Sequence, residues 1–504
     1  MFPKSIGQIM HKEHIEELHL TFTQGRWSSE RWGLAPFAAP AGVQIWSWFG
    51  GEGERNATEE EKEKNWGGIV RALGGLFCAS LQYMDSTKVA SPDFMLRPQG
   101  NISSRASLKY STLTTEAVCT ENLTPWAKLL PCRKEAGLST LFRSPKVLYD
   151  VHWHSMGLHI TQSSDNGEGY VFLTQSLTMV VGTLGTKALS LKSLFGVPGI
   201  SDCPLSDAST IKILKPKEKS FEIQSAAPIS DREDYWMIDL KSTTSPLDVR
   251  FTINESPKHI PTAAFLVNRY QTGFGKQKGG ITTIIKNNLN VAVNTSMLQV
   301  IPWFLQLYFH TMVTKINEKP FHKFYLKNVI PGEDRVSPSK IEFKFALPPK
   351  STFTFEIEYD KFILHFFEYP PDPNRGFDIG PALVEAELPC YLFTHLDDNL
   401  TKECKDTLKC ANDICDDLSI ITNLTRKYQF FTTGLSISMP TPDFSMPYNV
   451  ITLTCTMIAF FFGQTLRILT RRYSEVYVDG NFVSNRPAAK LLDWILSLIQ
   501  EDTQ

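Results

Sequence analysis

The sequence predicts a mainly β protein, built of lumenal β-sandwich-type domains with a few helices and one C-terminal transmembrane helix. Three observations carry this reading. Apolar and polar residues alternate along many short segments, the two-residue period of strands with one buried face. Only one long stretch before the C-terminal region shows helical spacing, and only one run is free of charge for long enough to cross a bilayer. The 504 residues, 42% of them apolar, suffice for two or three domains with real cores and exclude a disordered chain. Lysine plus arginine (51) nearly balance aspartate plus glutamate (53), so no global field steers the chain to nucleic acid, which is not expected as a partner.

The elements follow in order. A short helix is predicted from Ile9 to Glu16, ahead of a strand from Leu18 to Phe22. From Thr58 to Ser80 an acidic start leads into Trp66, Ile69, Val70, Leu73, Leu76 and Phe77, one apolar stripe with its negative end at the N-terminus. Val249, Phe251 and Ile253 alternate with polar residues, as do Trp303, Leu305, Leu307 and Phe309. The same period runs through Ile341, Phe343, Phe345 and Leu347 and through Phe353, Phe355, Ile357 and Tyr359. No strand-helix alternation of the kind a parallel sheet needs is visible, so antiparallel, sandwich-type strands are expected. A polar, charged and proline-containing stretch near residues 205–235 interrupts the pattern. It suggests an N-terminal mixed β domain over 1–225 and a second β-sandwich domain over 226–445. The polar segment from Asp397 to Lys427, with three cysteines, is expected to be a long loop.

From Val450 to Leu466 the chain reads VITLTCTMIAFFFGQTL, without a charged residue. Extended to residues 448–469, at ~1.5 Å rise per residue, it spans a ~30 Å hydrocarbon slab. Arg467, Arg471 and Arg472 follow at once, whereas Pro440 to Pro447 carries only Asp443. The positive-inside tendency then gives a single-pass, type I arrangement, with a cytosolic tail over 470–504 and the bulk of the chain in the lumen or outside the cell. Glycan acceptors fit that placement: Asn56, Asn101, Asn294, Asn399 and Asn423 head usable sequons, while Pro125 and Pro257 make Asn122 and Asn254 poor ones. Eight of the nine cysteines precede the span, and disulfides are expected, with a connectivity that the sequence leaves open. Met1 to Lys4 opens no signal segment, so the expectation is that the natural chain starts upstream. In the tail, Leu491 to Ile499 is apolar at helical spacing, suited to packing on a neighbour or lying on the membrane.

Neither a nucleophile elbow nor a P-loop occurs, and neither catalytic residues nor a cofactor is expected. His152, His154 and His159 stand in VHWHSMGLH with no acidic or thiol partner nearby in sequence, so they are expected to be structural or solvent-facing and not metal ligands. Cys404, Cys410 and Cys415 are spaced unlike common zinc sites. Glu368 and Asp372 are expected at a solvated strand end, with acid-base work on a glycan as the alternative. The run LSISMPTPDFSMPYN, Leu435 to Asn449, places Asp443, Ser445 and Asn449 at headgroup depth. A carboxylate, a hydroxyl and an amide there suit the ammonium, phosphate and sugar groups of a lipid headgroup; a rigid linker whose polar residues face water fits the same residues.

Five stretches, in order along nearly the whole chain, resemble signature segments of the T-subunit family of GPI transamidase: ELHLTFTQGRW (17–27), LFCASLQYMDST (76–87), VCTENLTPWAKLLPC (118–132), YPPDPNRGF (369–377) and PTPDFSMPYNVITLTCT (440–456). The resemblance implies a non-catalytic subunit of a five-subunit complex in the endoplasmic-reticulum membrane. That complex removes a C-terminal signal from a proprotein and attaches a GPI glycolipid to the new C-terminus. It further implies a caspase-like catalytic subunit as a disulfide-linked partner, the other transamidase subunits, and the GPI glycolipid as ligand. The cysteine matching Cys119 resembles the one that forms the interchain disulfide; an internal bridge to Cys132 or another cysteine is the alternative. Positions matching Asn374, Asp443, Ser445 and Asn449 resemble the family's contacts to the GPI headgroup, whereas Arg375 matches no recognised role. A type I adhesion or receptor protein with a β-sandwich ectodomain is the competing reading of the same architecture.

Overall fold

The computed structural model describes residues 2–50, 58–103, 106–133, 135–165, 168–182, 188–215, 221–232, 235–243, 246–253, 263–273, 277–369, 372, 375–393, 425–440 and 445–471. They form two compact units, one up to Pro440 and one from Thr441 onward. In the first, the described strands pair antiparallel, with helices packed beside them.

Its N-terminal part is a five-stranded sheet, β1 (Ile15–Gln24), β2 (Gly42–Phe49), β3 (Ser107–Leu113), β4 (Trp153–Asp165) and β5 (Glu168–Val180), in the order β3-β2-β1-β4-β5. Alternation sorts each strand. Leu18, Leu20 and Phe22 of β1 join Val43, Ile45 and Phe49 of β2 on one face. There they meet the apolar stripe of helix α3 (Glu59–Phe77), which follows the single-turn helix α2 (Ser29–Trp32) in the chain; the stripe is Trp66, Ile69, Leu73 and Phe77. Helix α3 starts as its sequence asks: Thr58 and Glu61 exchange side-chain and backbone bonds in a capping box. Helix α4 (Thr120–Lys128) adds Leu123 and Trp126 to the same core.

Helix α1 corrects one expectation. It covers Lys4–Lys12, not Ile9–Glu16, because Ile6 and Met10, four apart, are the residues that reach the core. His14, at φ 52°, turns the chain out of the helix and frees Ile15 onward to extend as β1.

Six short strands follow, β6 (Ala188–Ser190), β7 (Thr210–Leu214), β8 (Phe221–Ser225), β9 (Ser230–Asp231), β10 (Tyr235–Asp239) and β11 (Val249–Ile253), in sheets β7-β10-β9 and β6-β11-β8. Ile238, Leu240, Leu247 and Val249 pack into the same first core.

From Phe265 a second core begins. It lies between two five-stranded sheets. The first holds β12 (Phe265–Thr272), β13 (Lys278–Asn287), β15 (Leu305–Ile316), β16 (Lys319–Pro320) and β19 (Thr352–Lys361) in the order β12-β13-β19-β15-β16. The other holds β14 (Val293–Ile301), β17 (Leu326–Ile330), β18 (Ser339–Leu347), β21 (Leu383–Pro389) and β22 (Thr425–Phe431) in the order β17-β18-β14-β21-β22. The alternating phenylalanines meet across the gap: Phe345 lies 4.2 Å from Phe353 and Phe343 lies 5.7 Å from Phe355, ring centre to ring centre. Thr425 to Lys427, expected in a long loop, belong to β22; residues 394–424 lie outside the described residues. A third, smaller cluster joins the N-terminal sheet to the sandwich, with Trp46, Trp48 and Tyr110 against Leu298 and Leu383.

In the second unit the described residues form one helix, Ser445–Leu469, of which Tyr448–Leu469 is long and apolar enough to cross a membrane. Pro447 lies in its first turn, where a missing N–H breaks no helical bond. Thr452, Thr454 and Thr456 donate their hydroxyls to carbonyls four residues back, at 2.7 to 2.8 Å, so these polar groups are satisfied within the helix.

Candidate functional site

Two stretches that the sequence singles out lie side by side in the first unit. Strand β20 (Phe377–Ile379) pairs antiparallel with β23 (Leu435–Ile437), Phe377 opposite Ile437. Ser436 Oγ donates to the Arg375 carbonyl at 3.3 Å, and the Tyr369 hydroxyl donates to the Pro440 carbonyl at 2.5 Å. Gly376 makes the approach possible: its φ is +85°, and a Cβ there would lie 2.8 Å from the Ile437 carbonyl oxygen. The segment 369–377 is thereby fastened to the last residues before the membrane helix.

Asn374 and Asp443 lie outside the described residues. Ser445 is the first residue of the membrane helix, and Asn449 stands exposed four positions on. Arg375 is exposed and lines a cleft of about 1050 Å³ together with Arg26, Trp27, His152, Tyr270 and Ser436. Glu368 is held by the Arg335 guanidinium, Nε to Oε1 at 2.5 Å and Nη2 to Oε2 at 3.1 Å. That fork keeps its carboxyl below the usual carboxylate range.

Cys119 stands at the N-terminus of α4 as a half-buried free thiol. Its backbone N–H donates to Asn122 Oδ1 at 2.8 Å, and its Sγ lies 3.3 Å from the same oxygen. Asn122 is buried and donates Nδ2 to the carbonyl of Phe77 at 2.7 Å, which pins the start of α4 to the end of α3. Cys132 is bonded to Cys203, 71 residues away in sequence, so it is not the partner of Cys119. Cys390 is disulfide-bonded as well.

Of the sequons, Asn101 is exposed in a loop, and Asn294 is exposed on β14 with Nδ2 donating to Glu387 Oε2 at 2.9 Å. Asn56, Asn399 and Asn423 lie outside the described residues.

The histidines of VHWHSMGLH are divided by the fold. His152 is exposed, and His154 is buried against Tyr149, where burial pulls its pKa down to about 4. His159 meets a partner that its own neighbourhood in sequence lacks. Its Nδ1 lies 2.9 Å from Nδ1 of His19, whose Nε2 is 2.9 Å from Glu17 Oε1. His19 is stacked on Trp46 at 3.7 Å. Burial alone would raise the Glu17 pKa, but His19 and the backbone N–H groups of Gln99 and Gly100 outweigh it and keep the carboxylate charged. Burial holds His19 and His159 neutral. The signal for this buried relay was the E-x-H of β1, legible only once β1 and β4 are known to pair.

The family described as "Gpi16 subunit, GPI transamidase component" matches residues 1–188 and 182–496. The GPI-anchor transamidase component PIGT of Homo sapiens is 32% identical, over 94% of this chain and 84% of that protein. The GPI transamidase component PIG-T homolog of Schizosaccharomyces pombe is 28% identical over 97% of this chain and 85% of its own length. The GPI transamidase component GPI16 of Saccharomyces cerevisiae is 26% identical over 94% and 82%. With the matched segments running through the antiparallel body and the membrane helix alike, this chain belongs to the Gpi16 family of GPI transamidase components.

Proposed function

We propose that this transamidase subunit is non-catalytic and lumen-facing in the endoplasmic-reticulum membrane, where it stabilises the complex and helps to position the GPI glycolipid for attachment to the C-terminus of proproteins. The acyl transfer itself belongs to a caspase-like partner, whose cysteine forms a thioester that the ethanolamine amine of GPI resolves. The contribution of this chain to rate is orientation of that amine. Asp443 pairs with the ethanolamine ammonium, while Asn374, Ser445 and Asn449 hydrogen-bond phosphate or sugar hydroxyls. The observation that supports the reading is the attachment of segment 369–377 to the strand that precedes the membrane helix, through Phe377–Ile437 pairing and the Tyr369–Pro440 bond. It keeps the flanks of Asn374 close in space to the chain that leads on to Asp443.

Cys119 forms the interchain disulfide to the catalytic subunit. Its free, half-buried thiol and the engagement of Cys132 with Cys203 support that role. A covalent link holds the two subunits at high effective concentration. The Asp443→Ala variant is expected to lower GPI attachment, scored by surface display of an anchored reporter, while the purified complex keeps all its subunits. Undiminished attachment removes the headgroup role. Cys119→Ser is expected to lose a heavier mixed species on non-reducing gels, and persistence of that band removes the disulfide assignment.

A further inference from the structure

Beside the pre-membrane strand the body displays two large apolar side chains that no part of the described chain covers. Ile363 is 86% exposed and Phe367 is 82% exposed, more than Leu469, the most exposed hydrophobic residue of the membrane helix at 77%. Single exposed apolar residues are ordinary on a soluble surface. These two differ because the segment that carries them is fixed.

Leu364, between them, is buried in the sandwich core, and Phe362 N–H donates to the Phe304 carbonyl at 2.9 Å. The short helical turn Phe366–Glu368 is closed by the His365 N–H donating to Glu368 Oε2 at 2.6 Å. Glu368 is locked in turn by the Arg335 fork, and Arg335 lies over the rings of Trp303 and Phe362 at 4.8 and 5.5 Å. The rings of His365 and Phe367 stack at 5.5 Å. Two residues further on, Tyr369 holds the Pro440 carbonyl. Only residues 441–444 then separate Pro440 from the helix start at Ser445. At no more than ~3.6 Å per residue, that is a short tether to the bilayer surface.

We infer that Ile363 and Phe367 form a membrane-interface anchor, entering the boundary between headgroups and acyl chains of the leaflet on the body's side. The occupant of this apolar projection is lipid. Its chemistry fits: an aliphatic and an aromatic side chain enter the apolar zone, and the His365 ring and the Arg335–Glu368 pair stay at headgroup level. Such a contact adds a second, apolar hold on the bilayer to that of the span. The inference rests on the membrane span and not on the headgroup contacts, so it stands or falls separately from them.

The test uses the full chain, assembled with its companion subunits, in bilayers of phosphatidylcholine that carries an alkyne on the acyl chain. The photoreactive residue p-benzoylphenylalanine replaces Ile363 or Phe367, and, as a control, Leu205, which is 62% exposed. After irradiation, the expected result is a lipid adduct on this chain from positions 363 and 367 and background labelling from 205. With the photoreactive group at 363, Phe367→Asp should lose the adduct and Phe367→Leu should retain it. Cross-linking of position 367 to another protein subunit, or lipid labelling no stronger than at 205, overturns the anchor.

Discussion

Truncating Asn122 to alanine tests how the fold presents Cys119. Asn122 is 0% exposed and satisfies two backbone groups at once, accepting the Cys119 N–H at 2.8 Å and donating to the Phe77 carbonyl at 2.7 Å. Phe77 is the last residue of α3, so its carbonyl has no partner within its own helix. Without the amide, that carbonyl is stranded, which costs about 1–3 kcal/mol, and the capping bond at the start of α4 is lost, about 1 kcal/mol more. The sum, roughly 2–4 kcal/mol, corresponds to a fall in melting temperature of about 2–4 °C for a body of this size, which runs up to Pro440. Thermal unfolding of the purified complex measures it. Because Sγ of Cys119 also leans on Asn122 Oδ1, the fraction of mixed disulfide on non-reducing gels should fall in parallel. Asn122→Asp keeps the acceptor but turns a second acceptor on the buried Phe77 carbonyl, and should be no more stable than the alanine variant. An alanine variant that melts with the parent and forms the mixed species in full would refute the reasoning.

Four further outcomes are expected. Cys203→Ser opens a loop spanning 71 residues of sequence and should cost about 4 kcal/mol in the chain-entropy picture, read as a lower denaturation midpoint without reductant. Acidification should destabilise the body through His154, which is 1% exposed with a pKa near 4. From about pH 6.5 downward the unfolded chain binds a proton that the folded one refuses, so stability drops by about 2 kcal/mol by pH 5. Melting curves of His154→Gln at pH 7 and 5 should show a smaller drop than the parent, and an equal drop rejects the assignment. Asn294→Gln should remove one endoglycosidase-sensitive glycan, whereas Asn122→Gln should remove none, because that amide is spent in the core; gel mobility decides both. Gly376→Ala forces a side chain at φ +85° against the Ile437 carbonyl and should cost about 1–3 kcal/mol locally. It should lower GPI attachment while sparing the Cys119-linked species, and unchanged attachment would disconnect the 369–377 segment from function.

The elements that could be read from the sequence are those whose period comes from a single buried face. Phe343 and Phe345 against Phe353 and Phe355 declare two facing sheets, because each strand alternates against the same core. Helix α3 is equally plain, since its cap, acidic first turn and stripe agree. Where a second layer covers the other face, the pattern misleads. Lys340 and Glu342 of β18 occupy the outward positions, yet they are 7% and 0% exposed. The segment around Asp93 lies over them, with Lys340 Nζ 2.8 Å from Asp93 Oδ2 and the Asp93 N–H donating to Glu342 Oε2 at 2.9 Å. No local signal announces such a contact between residues some 250 apart. The Glu17–His19–His159 relay is hidden for the same reason, and α1 slips because a nine-residue amphipathic stretch can be framed in more than one register.

Arg269 shows how much the fold commits to the strands before the membrane. Its side chain is 2% exposed, donates Nη2 to the Gly380 carbonyl at 2.6 Å, and leaves Nε and Nη1 without a partner among the described residues. Burial lowers its pKa to about 9, which still leaves it charged at neutral pH. A buried cation held by carbonyls is costly, and well-packed apolar residues usually serve stability as well or better. What the guanidinium supplies instead is direction: it fixes the backbone of the turn between β20 and β21, while the Arg269 carbonyl accepts from Thr433 Oγ1 at 3.4 Å. Those two contacts lie just after segment 369–377 and just before β23. The cost of burying Arg269 therefore falls on the pair of segments that the Tyr369–Pro440 bond also joins.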